Sequence, residues 1–396
     1  IEVSAGESSG NITFTDNADE TTLSAGSVSN DSSIVLWAEG GTITQTNGLI
    51  TATQLTIEAS GNVSLDRTQV AVVTESSIGA EVRSAGVPKT IKGIIIDGSG
   101  SLTQTEVDSI VIERIDTNGG DVTLITESGN GGDIRLSTIS GDDNDSIDAN
   151  ETLDASVGGD ISLTADGAIL DEQAGNQIIN LTSEGLATLV ANLGVGALSG
   201  GEAVLDTGDI DTDLGSIAGS VLLSGDFLIQ EEDDLTIADT TAGKDLTTAG
   251  TSGYISISTK NGTITIPGYV EAAGANGDIV IVATNSGNTA DVKLTMPDGN
   301  KLVSVNGSVG ISVGDAYSQG QFSHIEAGTS ESVIVNATNA TGSITMADGS
   351  SIFTSGGKVV LNAEGQIQVS RINTGSSGQV WLGSNGSITD AGTAYG

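Results

Sequence analysis

GKVVLNAEGQIQV at 357–369 and GQVWLGSNGSI at 378–388 carry the pattern on which the fold turns. Each opens on Gly, continues with apolar residues at alternate positions, passes a small turn containing Gly, and resumes the alternation. Period-two alternation puts Val359 and Leu361 on one face of an extended strand and Val360 on the other. The turn dipeptides Glu364–Gly365, Asn261–Gly262 and Asp166–Gly167 place Gly where other residues avoid the backbone angles. The same form recurs as GGDVTL (119–124), GGDIRL (131–136), GGDISL (158–163) and GYISISTKNGTITI (253–266).

Asn-Gly between two strands would by itself favour a hairpin. The recurrence decides otherwise. Comparable starts such as Gly357 and Gly378 lie in the low twenties of residues apart, with shorter and longer intervals elsewhere. A parallel β-solenoid coil with three short faces needs about that length. The expectation is an all-β chain forming one solenoid over 1–396, of roughly 16–19 coils stacked at about 4.8 Å. Ile, Val, Leu and Ala point inward, and each coil buries its apolar face only against its neighbours. Residues 184–193, EGLATLVANL, are the best helical candidate, with a strand pair equally open. Residues 66–93 break the rhythm: they hold Pro88 and four basic residues (Arg67, Arg83, Lys89, Lys92), and they read as a loop excursion.

Composition bounds the function. With 12 Lys and Arg against 52 Asp and Glu, the formal net charge is −40. That disfavours nucleic acid, whose binding rests on cations displacing counterions, and anionic membrane surfaces. Aromatics make up 3 % of the chain, few for an ordinary globular core, yet 37 % is hydrophobic and arranged in alternation, which disordered acidic tails lack. Cysteine is absent, which removes disulfides and thiolate metal sites. No run of about 20 apolar residues is present to span a bilayer as a helix. The chain opens mid-pattern at Ile1 and closes mid-pattern at Gly396, and it reads as an internal stretch of a longer protein with its secretion signal elsewhere.

The stretch 34–65, IVLWAEGGTITQTNGLITATQLTIEASGNVSL, resembles the repeats of filamentous-haemagglutinin-like adhesins and related giant bacterial surface proteins. The carrying phrases are G-x-I-T-Q-T-x-G-x-I-x-A and L-x-I-x-A-x-G-x-V-x-L. GDISLTADGAILDEQAGNQIINLTSEGLATLVANLGVGAL at 159–198 is similar to longer repeats of the same kind of protein. The resemblance implies a right-handed parallel β-helix, export to the bacterial surface or extracellular matrix, and a role in adhesion or cohesion. No recognisable secretion domain accompanies it.

Three groups of residues could carry chemistry. Between Leu136 and Gly243 there are 22 Asp or Glu and no Lys or Arg. Within this stretch lie Asp142, Asp143, Asp145 and Asp148, then Asp209, Asp211 and Asp213, then the run Glu231 to Asp234. Carboxylates stacked about 5 Å apart repel by about 1 kcal/mol per pair even in water. Calcium is the natural ion to offset this, in a looser site than an EF-hand, since DIDTDLG lacks Gly at its sixth position. A solvated acidic surface is the alternative. The second group is aromatic: by the phase of the repeat Trp37, Trp381 and Tyr254 point outward, where they could stack on sugars or pack on another protein. Covering a neighbouring loop is the blander role.

The third is the enzyme reading. Parallel β-helices include polysaccharide lyases and hydrolases, which need a base with cations or a chosen carboxylate pair. Here basic residues are sparse, His324 stands alone as a surface or turn residue, and no nucleophile or cofactor motif appears. The expectation is therefore a non-catalytic extracellular solenoid, an adhesin stalk or biofilm fibre, whose partners are surface glycans, proteins or copies of itself. The alternative is a self-assembling subunit of a filament, sheath or surface layer. A polysaccharide-active enzyme comes third.

Overall fold

In the computed structural model the backbone is described at 2–5, 12–14, 23–24, 33–38, 41–45, 48–78, 89–98, 100–137, 147–148, 158–172, 179–196, 209–240, 245–250, 253–283 and 293–392. The regular elements in these residues are all β-strands, and the strand partners are parallel except in one hairpin. The chain is a parallel β-solenoid. It divides into two compact units, residues 1–191 and 192–396.

The second unit shows the coil most plainly, because each strand pairs with the strand three further along the chain. On one wall Phe227, Ile255, Ile279, Val309, Val333 and Val359 stack as successive register partners. On the next wall the line is Leu235, Ile264, Leu294, Tyr317, Ile344 and Ile367. The third wall carries Leu246, Val270, Leu302, Ile325 and Ile352. All these side chains are at most 1 % exposed. Each contributes about 1.5–3 kcal/mol by burial, gained only when the neighbouring coil is in register. That is why a two-residue sequence period yields a ladder and not isolated strands. Among the described residues Tyr317 is the one tyrosine buried in the ladder; its hydroxyl lies 3.2 Å from Gln319 Oε1, and burial pushes the phenol pKa upward.

The first unit repeats the plan with uneven coils. Val63, Leu102, Val122, Ile161 and Ala187 form one inward line. The step from Val63 to Leu102 is nearly twice that from Leu102 to Val122, so extra chain leaves the wall and returns to pair at Leu102, with a register shift between Gln104 and Glu106. The excursion expected at 66–93 is shorter than the sequence suggested. Residues 66–73 continue the strand Val63–Val73, and Arg67 is held there by Glu127 at 2.8 Å. The departure is an antiparallel hairpin in which Glu75 pairs with Lys92 and Ile78 with Lys89. Arg83 and Pro88 lie outside the described residues. The helical alternative at 184–193 resolves as strand Leu181–Ala191.

Glycine and aspartate in the Gly-Gly-Asp phrases do separate work. A Cβ on Gly120 would stand 1.9 Å from the Gly100 carbonyl oxygen, and one on Gly159 would stand 2.2 Å from that of Gly120. Consecutive coils approach too closely there for any side chain. The next residue clamps the coils together. Ser101 N donates to Asn62 Oδ1 at 3.0 Å, Asp121 N to Ser101 Oγ at 3.1 Å, Asp160 N to Asp121 Oδ1 at 3.0 Å, and Leu186 N to Asp160 Oδ1 at 2.9 Å. In the second unit Asp226 accepts from Tyr254 N at 3.0 Å and Asp278 from Ser308 N at 2.6 Å. Many of the chain's carboxylates are thus acceptors for the backbone one coil on. Hydrogen bonds to a charged acceptor are stronger than neutral ones, which offsets the repulsion between stacked acids.

Candidate functional site

The expected sites separate once the coils are stacked. Asp142, Asp143 and Asp145 lie outside the described residues. Asp148 sits in strand Ile147–Asp148, in register with Asp116 and Thr182. The DIDTDLG segment, read as a loose calcium site, lies from Ile210 onward in the long strand Ile210–Val221. Ile210, Thr212 and Leu214 face inward and are at most 2 % exposed. Asp209 and Asp211 are themselves buried, at 8 % and 7 % exposed, and Asp213 is half-buried. Gln230 Nε2 donates to Asp209 Oδ2 at 3.3 Å, and Lys260 Nζ lies 3.7 Å from Asp211 Oδ1 and 3.1 Å from Glu232 Oε2. A cation facing this acidic strand is Lys260, a lysine two coils on that lies outside the acidic stretch of the sequence. Among the described residues no three acidic or histidine side chains converge as a metal centre would require.

The acidic run 231–234 is not uniformly solvated. Glu231 is 0 % exposed. Its carboxylate accepts from Thr212 Oγ1 at 2.7 Å and from Leu214 N at 3.1 Å. Glu106 occupies the equivalent socket in the first unit, accepting from Thr68 Oγ1 at 2.7 Å and Val70 N at 3.0 Å. Each glutamate is in register between two threonines, Thr68 and Thr126 for Glu106, Thr212 and Thr259 for Glu231. In both cases the preceding coil is a long strand that rounds a corner, and the carboxylate satisfies backbone N–H groups freed there. Burial pushes Glu106 up to about 7 and Glu231 up to about 8, against the hydrogen bonds that favour the charge.

The aromatic residues divide three ways. Trp37 corrects the sequence reading: it is 2 % exposed, not outward in solvent. Its Nε1 donates to Glu58 Oε1 at 3.3 Å, and it packs with Val35 and Ile95 in a small apolar cluster. Trp37 is in register with Glu58, and Glu58 with Ile95, so side chains of the following coils lie against the indole and outward does not mean exposed. Tyr254 is half-buried, with its backbone N–H held by Asp226. Trp381 stands in strand Gln379–Ser384 of the last described coil, where the inward Val380 is itself 46 % exposed, and it follows Ile334 and Val360 in an outward register line.

Beside Trp381 lies a cleft of about 380 Å³ lined by Lys358, Val360, Asn362, Trp381, Leu382 and Gly383. Asn362 Nδ2 donates to Asn336 Oδ1 at 3.0 Å. Asn362 Oδ1 lies 2.8 Å from where a Cβ on Gly383 would stand. The missing side chain at 383 leaves an amide acceptor facing an open floor. Trp381 Nε1 lies 3.4 Å from Gln379 Oε1. An indole wall, an amide floor and a lysine are the groups with which proteins hold polar ring-shaped ligands.

A second cleft, of about 320 Å³, was not legible in the sequence; its lining includes Asp245, Tyr269, Asn300 and Lys301. Lys301 Nζ stands 5.8 Å from the centroid of the Tyr269 ring. The Tyr269 hydroxyl donates to Glu271 Oε2, and burial together with that carboxylate pushes the phenol pKa upward. His324, in register with Lys301, is in strand His324–Thr329 and not in a turn; its ring lies 2.8 Å from Ser351 Oγ and 3.2 Å from Glu326 Oε2. These residues come from coils 23 to 32 residues apart, so only the register brings them together.

The fold and this geometry define the class of molecule, a parallel β-solenoid with two lined outer clefts in its second unit. Comparison with protein-family models, with curated proteins and with solved structures finds no match to this chain.

Proposed function

We propose that this chain is a non-catalytic extracellular β-solenoid, an adhesin stalk or matrix fibre of a bacterial surface, that holds saccharides on its outer walls. The observation that carries the reading is the outward register line Ile334, Val360 and Trp381 beside a cleft whose floor is opened by Gly383. A stack of coils presents such a wall rigidly, so little ordering entropy is lost on binding. Weak contacts at several coils, or at several copies, add through multivalency.

The test is retention of the purified chain on a panel of immobilised neutral and acidic oligosaccharides. Wild-type protein is expected to be retained on a subset, and Trp381→Ala to lose that retention while unfolding at the same denaturant concentration. Retention unaffected by Trp381→Ala would sink the reading. Negative-stain electron microscopy with calcium and then with chelator tests the alternative, a self-assembling subunit, which filaments or sheets would favour. Turnover of a polysaccharide on the panel would favour the enzyme.

A further inference from the structure

Seven of the chain's lysines and arginines have described side chains. Four of them are in ion pairs. Arg67 meets Glu127 at 2.8 Å, Arg114 meets Asp116 at 3.3 Å, Arg135 meets Glu172 at 2.7 Å, and Lys260 meets Glu232 at 3.1 Å. Lys301, Lys358 and Arg371 have no carboxylate oxygen within 4.0 Å among the described residues. In a chain with 52 acidic residues against 12 basic ones, a cation without a carboxylate is the exception. Two of these three exceptions line the two clefts, and each stands beside an aromatic ring and an asparagine: Lys358 with Trp381 and Asn362, Lys301 with Tyr269 and Asn300.

We propose that the ligand of the Trp381 cleft is a carboxylated saccharide, with Lys358 pairing its carboxylate, the indole lying against the ring's C–H face, and Asn362 Oδ1 accepting from a hydroxyl. This rests on the saccharide reading above and adds the ligand's charge. The net charge of −40 does not oppose it at this range, because charges beyond a Debye length of about 8 Å are screened at physiological ionic strength. What decides is the lining, which holds one cation and no acid. The Tyr269 cleft repeats the set less favourably, since Asp239 and Asp245 also line it. Asp245 is already engaged by Thr240 N at 2.6 Å and Tyr269 N at 2.7 Å. Lysine, a flexible point charge, suits one carboxylate presented at variable angle.

The experiment is titration of the full chain with hexagalacturonate and with its fully methyl-esterified counterpart, which keeps the sugar and removes the charge. The acid is expected to bind about tenfold more tightly than the ester, with affinity falling as salt rises. Lys358→Ala is expected to weaken the acid about fivefold and leave the ester unchanged, with an unaltered unfolding midpoint. Gly383→Ala is expected to weaken both. Equal binding of acid and ester, or a Lys358→Ala variant that binds the acid like wild type, would overturn the inference while the saccharide reading stands. Binding of neither overturns this inference; retention on other sugars then judges the broader reading separately. A single-stranded hexathymidylate bound as tightly as the acid would make the cleft a general polyanion site and overturn the saccharide assignment.

Discussion

Asp121 accepts the backbone N–H of Asp160, its counterpart one coil on, at 3.0 Å, and Asp160 repeats the contact to Leu186 at 2.9 Å. The relationship explains how so acidic a stack holds together. A carboxylate that receives an N–H from the next coil is a fastener, and its charge strengthens the bond it makes.

Asp160→Ala leaves Leu186 N–H without that acceptor and is expected to cost about 1 kcal/mol, the scale of a partly solvated hydrogen bond. Asp160→Asn keeps an oxygen in place and should recover most of the loss. Urea midpoints of the two variants measure the difference; equal losses would mean that charge, and not the acceptor, holds the coils.

Gly159→Ala places a methyl group 2.2 Å from the Gly120 carbonyl oxygen. Backbone faces backbone there, so neither side can rotate away, and a cost of about 3 kcal/mol is expected. Gly129→Ala is the control for space, since nothing lies within 4 Å of its Cβ position, although its φ of +91 brings a separate strain. A denaturant series on both variants separates crowding from backbone strain.

Glu231 makes stability depend on pH in an unusual direction for a carboxyl. Folded, it holds its proton up to about 8; its ordinary value is 4.5. The unfolded chain therefore releases the proton first as pH rises. The contribution is fully present below about 4.5 and is lost as pH climbs through about 8, by an amount on the order of a few kcal/mol. Glu106 acts in the same sense, with its upper limit at about 7. Glu231→Gln is expected to flatten the upper part of the curve, read as urea midpoint against pH from 4 to 9 (about the span set by the two groups).

The two tryptophans make a clean pair, since the chain has only 2. Trp37→Ala empties a covered apolar cluster and is expected to cost about 3–5 kcal/mol, whereas Trp381→Ala should stay within about 0.5 kcal/mol. Trp381→Phe leaves only Trp37, whose emission is expected to be blue-shifted and poorly quenched by acrylamide. Trp37→Phe should leave red-shifted, readily quenched emission.

Calcium is testable by position. Asp209 and Asp211 already have Gln230 and Lys260 as partners. Any calcium-induced rise in melting temperature is expected to persist in Asp209→Asn/Asp211→Asn and to diminish when Asp142, Asp143 and Asp145 are changed to Asn. A rise abolished by the first pair would return the ion to strand Ile210–Val221.

Period-two alternation, Gly-bearing turns and their recurrence were enough to read the chain as stacked parallel strands, because burial at alternate positions is a local property of each segment. They also placed Val360 and Trp381 on the outward face. What lies opposite what was beyond them. Coil length varies, from Val359 to Val380 in one place and from Val63 to Leu102 in another, and each change of length re-pairs every later residue. Hence Lys260 meeting Asp211, Glu231 closing a corner between Thr212 and Thr259, and Lys301 standing over Tyr269 follow from register alone. Trp37 shows the same limit from the other side: alternation assigned its face, but Glu58 and Ile95 on the following coils, brought there by register, decided whether that face met water. The sequence by itself determined the coil, since the hydrophobic pattern acts within a strand. Only the tertiary structure decided which charges are paired and which aromatic is buried, because those depend on contacts between coils.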